Sequence, residues 1–155
     1  MINVRKGTAH SLSQSDFIGV AQNDTNIVSG QLVILDNSGN IDLAGGTPSG
    51  NTYAGINTAR YGFALNDQTD GDVIESGKIG AYGLDGNSII ETDQTTASIN
   101  STNYPIGTAV VPDATATGLV APLASGNSTA RIIGYVTDNT RVLLQTAVLS
   151  IKLAA

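Results

Sequence analysis

His10 is the only imidazole in this 155-residue chain, and there is no Cys. Disulfide frameworks, Cys-type zinc sites and thiol chemistry are therefore excluded, and any His-based triad would have to centre on that one residue. A general base needs a nucleophile within hydrogen-bond reach and a third group to orient it. His10 stands among Thr8, Ala9, Ser11 and Ser13, in a stretch without a packing pattern, and reads as an exposed polar residue. Carboxylates come next. Asp36, Ser38 and Asn40 fall at positions 1, 3 and 5 of a calcium-loop pattern, but glycine misses position 6 and position 12 is Thr47 instead of a bidentate Glu. Asp67, Asp70 and Asp72 could gather round a hard cation. Both groups are more simply turn formers whose side chains bond nearby amides. Gly77-Lys78-Ile79-Gly80-Ala81-Tyr82-Gly83 lacks the Gly-Lys-Ser/Thr of a phosphate loop, and those glycines suit strand curvature or bulges. No Gly-x-Ser-x-Gly elbow occurs. A carboxylate pair for glycoside hydrolysis would want an aromatic-lined cleft, and two Phe, five Tyr and no Trp supply little for one. The expectation is a protein that is not an enzyme, with no cofactor and no metal.

The elements that would position any site are strands. Only 13% of residues are charged, about half the usual share, and Gly, Ser, Thr and Asn fill the gap. A net charge of −6 repels nucleic-acid phosphate, so no nucleic-acid partner is expected. The first residues lack the apolar core of a signal peptide, and no apolar run approaches ~18 residues. Synthesis in the cytoplasm and no membrane span are expected. The sequons at Asn23, Asn100 and Asn127 carry no weight without secretion.

Short β-branched or aromatic runs bounded by turn residues predict strands near 17–21, 31–36, 40–44, 60–66, 72–76, 78–83, 87–91, 106–111, 117–121, 131–137 and 141–153. A short helix fits only at 92–102. The fold class is all-β: a small β-barrel, β-tulip or sandwich of about ten short strands, spanning 17–155 as one domain behind an extended N-terminal arm over 1–16. Turns are expected at Asp36–Asn40, Asp70–Asp72, Asp85–Asn87 and Asp113–Gly118. The segment 141–153 reads as one strand, apolar on both faces at first and polar on one face by its end. Two stretches echo each other: Gly30 to Asp36, Gly39 to Ala44 and Tyr61 to Ala64 match Gly107 to Asp113, Gly118 to Ala121 and Ile133 to Val136, although the spacing differs between halves.

Four stretches carry a resemblance: Gly30-Gln-Leu-Val-Ile-Leu-Asp36, Gly71-Asp-Val-Ile-Glu-Ser-Gly77, Tyr104-Pro-Ile-Gly-Thr-Ala-Val-Val111 and Arg131-Ile-Ile-Gly-Tyr-Val-Thr-Asp138. In this order the chain resembles, over roughly residues 17–153, the head-decoration or cement proteins of tailed bacteriophages. The resemblance implies a small β-barrel or tulip-like domain bound to the outer face of a mature capsid. It implies the major capsid protein as partner, a homotrimer, location on the virion's outer surface, and no catalytic residues. The alternative is a receptor-binding or adhesin-type β module of a phage fibre or spike. Such a module would usually show shaft repeats or aromatic-lined sugar sites.

Two further expectations concern surfaces. Val142 to Leu144 and Leu32 to Leu35 are apolar on both strand faces, more than a small barrel needs, which favours self-association. The arm, Met1 to Asp16, is too polar to bury itself, yet it can add a strand to a neighbour's sheet edge. Ile2 and Val4 would then fill pockets, and Arg5 and Lys6 would pair with carboxylates of an acidic partner.

Overall fold

The computed structural model describes residues 1–6, 17–21, 26–35, 39–45, 52–53, 56–57, 60–65, 67, 78–115, 117–126 and 131–155. Among them the chain is all-β, with strands β1 (Ile2–Lys6), β2 (Phe17–Ala21), β3 (Leu32–Leu35), β4 (Asn40–Leu43), β5 (Thr52–Tyr53), β6 (Ile56–Asn57) and β7 (Arg60–Ala64). They continue as β8 (Lys78–Gly83), β9 (Ile89–Thr92), β10 (Ala109–Pro112), β11 (Val120–Pro122), β12 (Gly134–Leu143) and β13 (Thr146–Leu153). The pairings β2-β4-β3-β7-β8 close on themselves as a five-stranded barrel, while β1-β9-β13-β12-β10-β11 form an open six-stranded sheet. β5 and β6 pair as a small hairpin. Every named pair is antiparallel except β2 with β4.

Barrel and sheet share a core, and the barrel encloses a second one. Val33, Ile41, Ala64, Ile79 and Ala81 fill the barrel interior. Leu32, Ile34, Tyr61, Phe63 and Tyr82, alternate residues on the same strands, meet Ile90, Val110, Val120, Val136, Leu149 and Ile151 of the sheet. The period of two in side-chain direction makes this possible. It also explains the run Leu32–Leu35: its apolar residues on both faces serve two cores, and Leu32, Val33 and Ile34 are buried. Gly62 lies opposite Gly83 and Gly80 opposite Ile18 in the barrel, where missing side chains ease tight closure.

The sequence echo is matched by geometry. β4-β3-β7 and β11-β10-β12 have the same order and direction. Val33 and Val110, each three residues after an opening glycine, both face a glycine (Gly62, Gly134) on one side. On the other side they face Leu43 and Pro122, each four residues after the second glycine. The irregular bonds coincide as well. Gly30 and Gly107 donate to the carbonyls of Ala64 and Val136, whose amides donate back to Gln31 and Thr108. Ala44 and Leu123 donate to Leu32 and Ala109, and Gln31 and Thr108 to Val28 and Pro105. The chain thus contains two copies of one three-stranded unit, one in the barrel and one in the open sheet. Loop length, which differs between the units, leaves the register untouched.

Three expectations are corrected. Residues 92–102 form no helix: Asn100 Oδ1 accepts the amides of Thr102 (3.0 Å) and Asn103 (2.8 Å), and Tyr104 plugs the core with its hydroxyl donating to the Val120 carbonyl at 3.0 Å. Side-chain capture of backbone donors competes with helix. The stretch 141–153 is not one strand but most of a hairpin, reversing at Leu144-Gln145. Within 1–16, residues 2–6 are not an arm. They form the edge strand β1, paired with β9 from Ile2↔Thr92 to Lys6↔Ile89. Residues 7–16, His10 among them, and the strand expected at 72–76 lie outside the described residues.

Candidate docking surfaces

The four residues expected to touch a partner all fall on β1. Ile2 and Val4 are partly buried against this chain's own core. The strand addition expected between subunits is thus made within the chain, because β9 offers an antiparallel edge and the shared core a place for both side chains. Lys6 stands in register with Ile89, and Arg5 occupies the irregularity between Val4 and Lys6. The terminus is tied down too. The Met1 ammonium donates to the Ser29 carbonyl and to Asp93 Oδ1, the latter at 2.8 Å. Burial works to raise the Asp93 pKa, but the bonds from the ammonium and from Gln94, with the ammonium's charge, hold it below its ordinary value.

A polar row crosses the sheet beneath its outer face: Asn3, Glu91, Ser150 and Asp138 stand opposite one another on four neighbouring strands. Glu91 is fully buried. Its carboxylate accepts Arg141 Nε at 3.0 Å, Arg141 Nη2 at 3.5 Å and Asn3 Nδ2 at 3.2 Å. Two irregularities in β12, between Val136 and Asp138 and between Asp138 and Arg141, precede the arginine that makes this contact. Ser150 Oγ is buried without a hydrogen-bond partner. Nothing in the sequence marked Glu91 as special, since a lone Glu in a strand usually faces water.

Arg141 forms the base of a projection. β12 pairs with β10 only at Gly134 and Tyr135, and β13 with β9 only from Leu149 onward. The pairs Arg141↔Val148, Val142↔Ala147 and Leu143↔Thr146 therefore form a two-stranded ribbon that extends roughly 10 Å beyond the sheet. At its end Leu144 (φ 49°) and Gln145 (φ 66°) both take positive φ. That is the conformation of a two-residue hairpin turn usually made by Asn-Gly. Leu144 is 90% exposed and Val142 61%. A leucine held in the left-handed region costs about 1–2 kcal/mol, and here no burial offsets it. The turn escaped the sequence reading because it contains no Gly, Asn, Asp or Pro.

The acidic turns do local structural work. Asp85 accepts the amides of Asn87 and Ser88, the Ser88 hydroxyl and, at 3.4 Å, the Tyr82 hydroxyl. These bonds outweigh burial and hold its pKa below the ordinary value. Asp113 likewise bonds Ala114, Thr115 and Thr117. Among the described residues no three metal-ligating side chains converge, and no helix is long and apolar enough to cross a membrane. Comparison of the chain with known protein families and with curated proteins finds no match.

Proposed function

We propose that this chain is a structural virion protein that binds the outer surface of a phage capsid and stabilises it, without catalysis. One observation carries the reading: the β12–β13 ribbon, whose strained turn holds Leu144 in water beside exposed Val142. Backbone strain and exposed large aliphatic groups are both unfavourable in the free molecule. They make sense where a protein surface receives them. The resemblance of the motifs at 30–36, 71–77, 104–111 and 131–138 to capsid cement proteins supports the same reading. It adds the major capsid protein as partner and self-association as trimers on the lattice.

The test is addition of the purified protein to expanded, undecorated capsids, followed by sedimentation and electron microscopy. The expected result is lattice-saturating occupancy and a raised capsid melting temperature. Occupancy of a few particle vertices, or none, would overturn it. Leu144→Asn should weaken binding while making the free protein more stable, since Asn tolerates positive φ.

A further inference from the structure

The two units nest in one direction. Leu32, Phe63 and Ala44 of the first unit are fully buried, and the face that packs with them includes Val110, Val120 and Val136 of the second. By the register given above, the residues of the second unit equivalent to Leu32, Phe63 and Ala44 are Ala109, Tyr135 and Leu123. These three stand side by side across β10, β12 and the end of β11, on the outer face of the sheet. They are only partly covered: Tyr135 is 48% exposed and Leu123 37%, with Ile106 of the adjoining turn at 69%, while Ala109 is half-buried. On the other side of Tyr135 the row continues with exposed Lys152, its partner on β13.

We infer that this row is a docking surface for the face of a β-sheet belonging to another protein, aliphatic at its centre and bearing a carboxylate opposite Lys152. The interface between the two units shows the kind of occupant: the equivalent row in the first unit lies under a sheet face of small branched aliphatic residues. Among the described residues a second copy of this chain offers no free face of that type: Val110, Val120 and Val136 are already seated on the first unit, and Val33, Ile41 and Ala64 are enclosed in the barrel. Three partly exposed side chains are far fewer than the ~20–30 residues a side of a stable pair in solution. Binding then depends on a second contact, the ribbon, and on many copies acting together. The exposed Lys152 ammonium matches an acidic border on the partner.

This inference rests on the capsid-docking reading and names the surface and the chemistry it meets. The experiment compares wild type with the double variant Tyr135→Ser, Leu123→Ser on expanded, undecorated capsids. The expected result is binding weakened by about tenfold or more, with the free protein still folded, since Tyr135 and Leu123 keep 48% and 37% of their surface exposed. In parallel, acylation of Lys152 on the wild-type protein is followed free and capsid-bound, and protection is expected on binding. This arm stands even if the double variant does not fold. Wild-type decoration with undiminished Lys152 labelling, or full binding by a folded double variant, overturns this inference alone and leaves the capsid reading in place. Failure of the wild type to bind overturns both. A wild-type oligomer in solution that the double variant dissociates makes a second copy the occupant, and equally overturns it.

Discussion

Replacing Arg141 with Met should destabilise the protein far more than the loss of a surface ion pair. The methionine keeps much of the arginine's aliphatic length but removes two of the three donors that reach Glu91, leaving only Asn3 Nδ2 at 3.2 Å. Glu91 is 0% exposed and Arg141 36%. Breaking a buried pair costs about 3–5 kcal/mol, and the partial exposure of Arg141 argues for the lower end, about 3 kcal/mol. In a domain of this size each kcal/mol moves the melting temperature by about 2–4 °C, so a fall of about 6–12 °C is expected. Urea denaturation, with its slope unchanged, gives the free energy directly. The double variant Glu91→Leu, Arg141→Met should recover most of the loss, because no charge is then left buried. A loss below about 1 kcal/mol for Arg141→Met would put the pair among ordinary surface ion pairs. It would also refute the view that Glu91 anchors the base of the ribbon.

Three other outcomes follow from the same geometry. Asp85 and Asp93 have folded pKa values below their unfolded ones. Their contribution is therefore complete above the unfolded carboxyl value, about 3.9, and is lost as pH falls through the lower folded values. Asp85→Asn and Asp93→Asn should each lower stability at neutral pH and flatten its acid dependence in urea titrations. Gly30→Ala should cost at least about 2 kcal/mol, since at φ 93° its Cβ would lie 2.1 Å from the Met1 carbonyl oxygen. Gly39→Ala, also at positive φ but with open space around it, should cost only about 1 kcal/mol. Equal losses would mean that Met1 does not pack there. Ser150→Ala should leave stability unchanged or raise it by up to about 1 kcal/mol, because it removes an unpaired buried hydroxyl. A clear loss in calorimetry would show that Oγ has a partner.

The β class, most strand positions and the turns at Asp85, Asp113 and Gly118 are legible in the sequence. These depend on local chemistry: β-branched runs, alternation, and Asp or Gly placed where the backbone turns. The sequence also carried the echo between the two units, because the glycines that open strands and the aromatic-glycine pair of the third strand recur in type even where loop lengths differ. What stayed out of reach depends on neighbours distant in the chain. Ile2 and Val4 look like an arm's residues until β9 gives them an edge some ninety residues away. Leu144-Gln145 has no turn signature, and only the pairing of β12 with β13 forces both residues to positive φ. Leu32–Leu35 and Val142–Leu144 are alike in composition. One is buried because barrel and sheet close over both its faces, and the other is exposed because its hairpin outruns the strands beside it. Burial is a property of what lies across the gap, and only the tertiary structure says which apolar run has a partner and which still faces water.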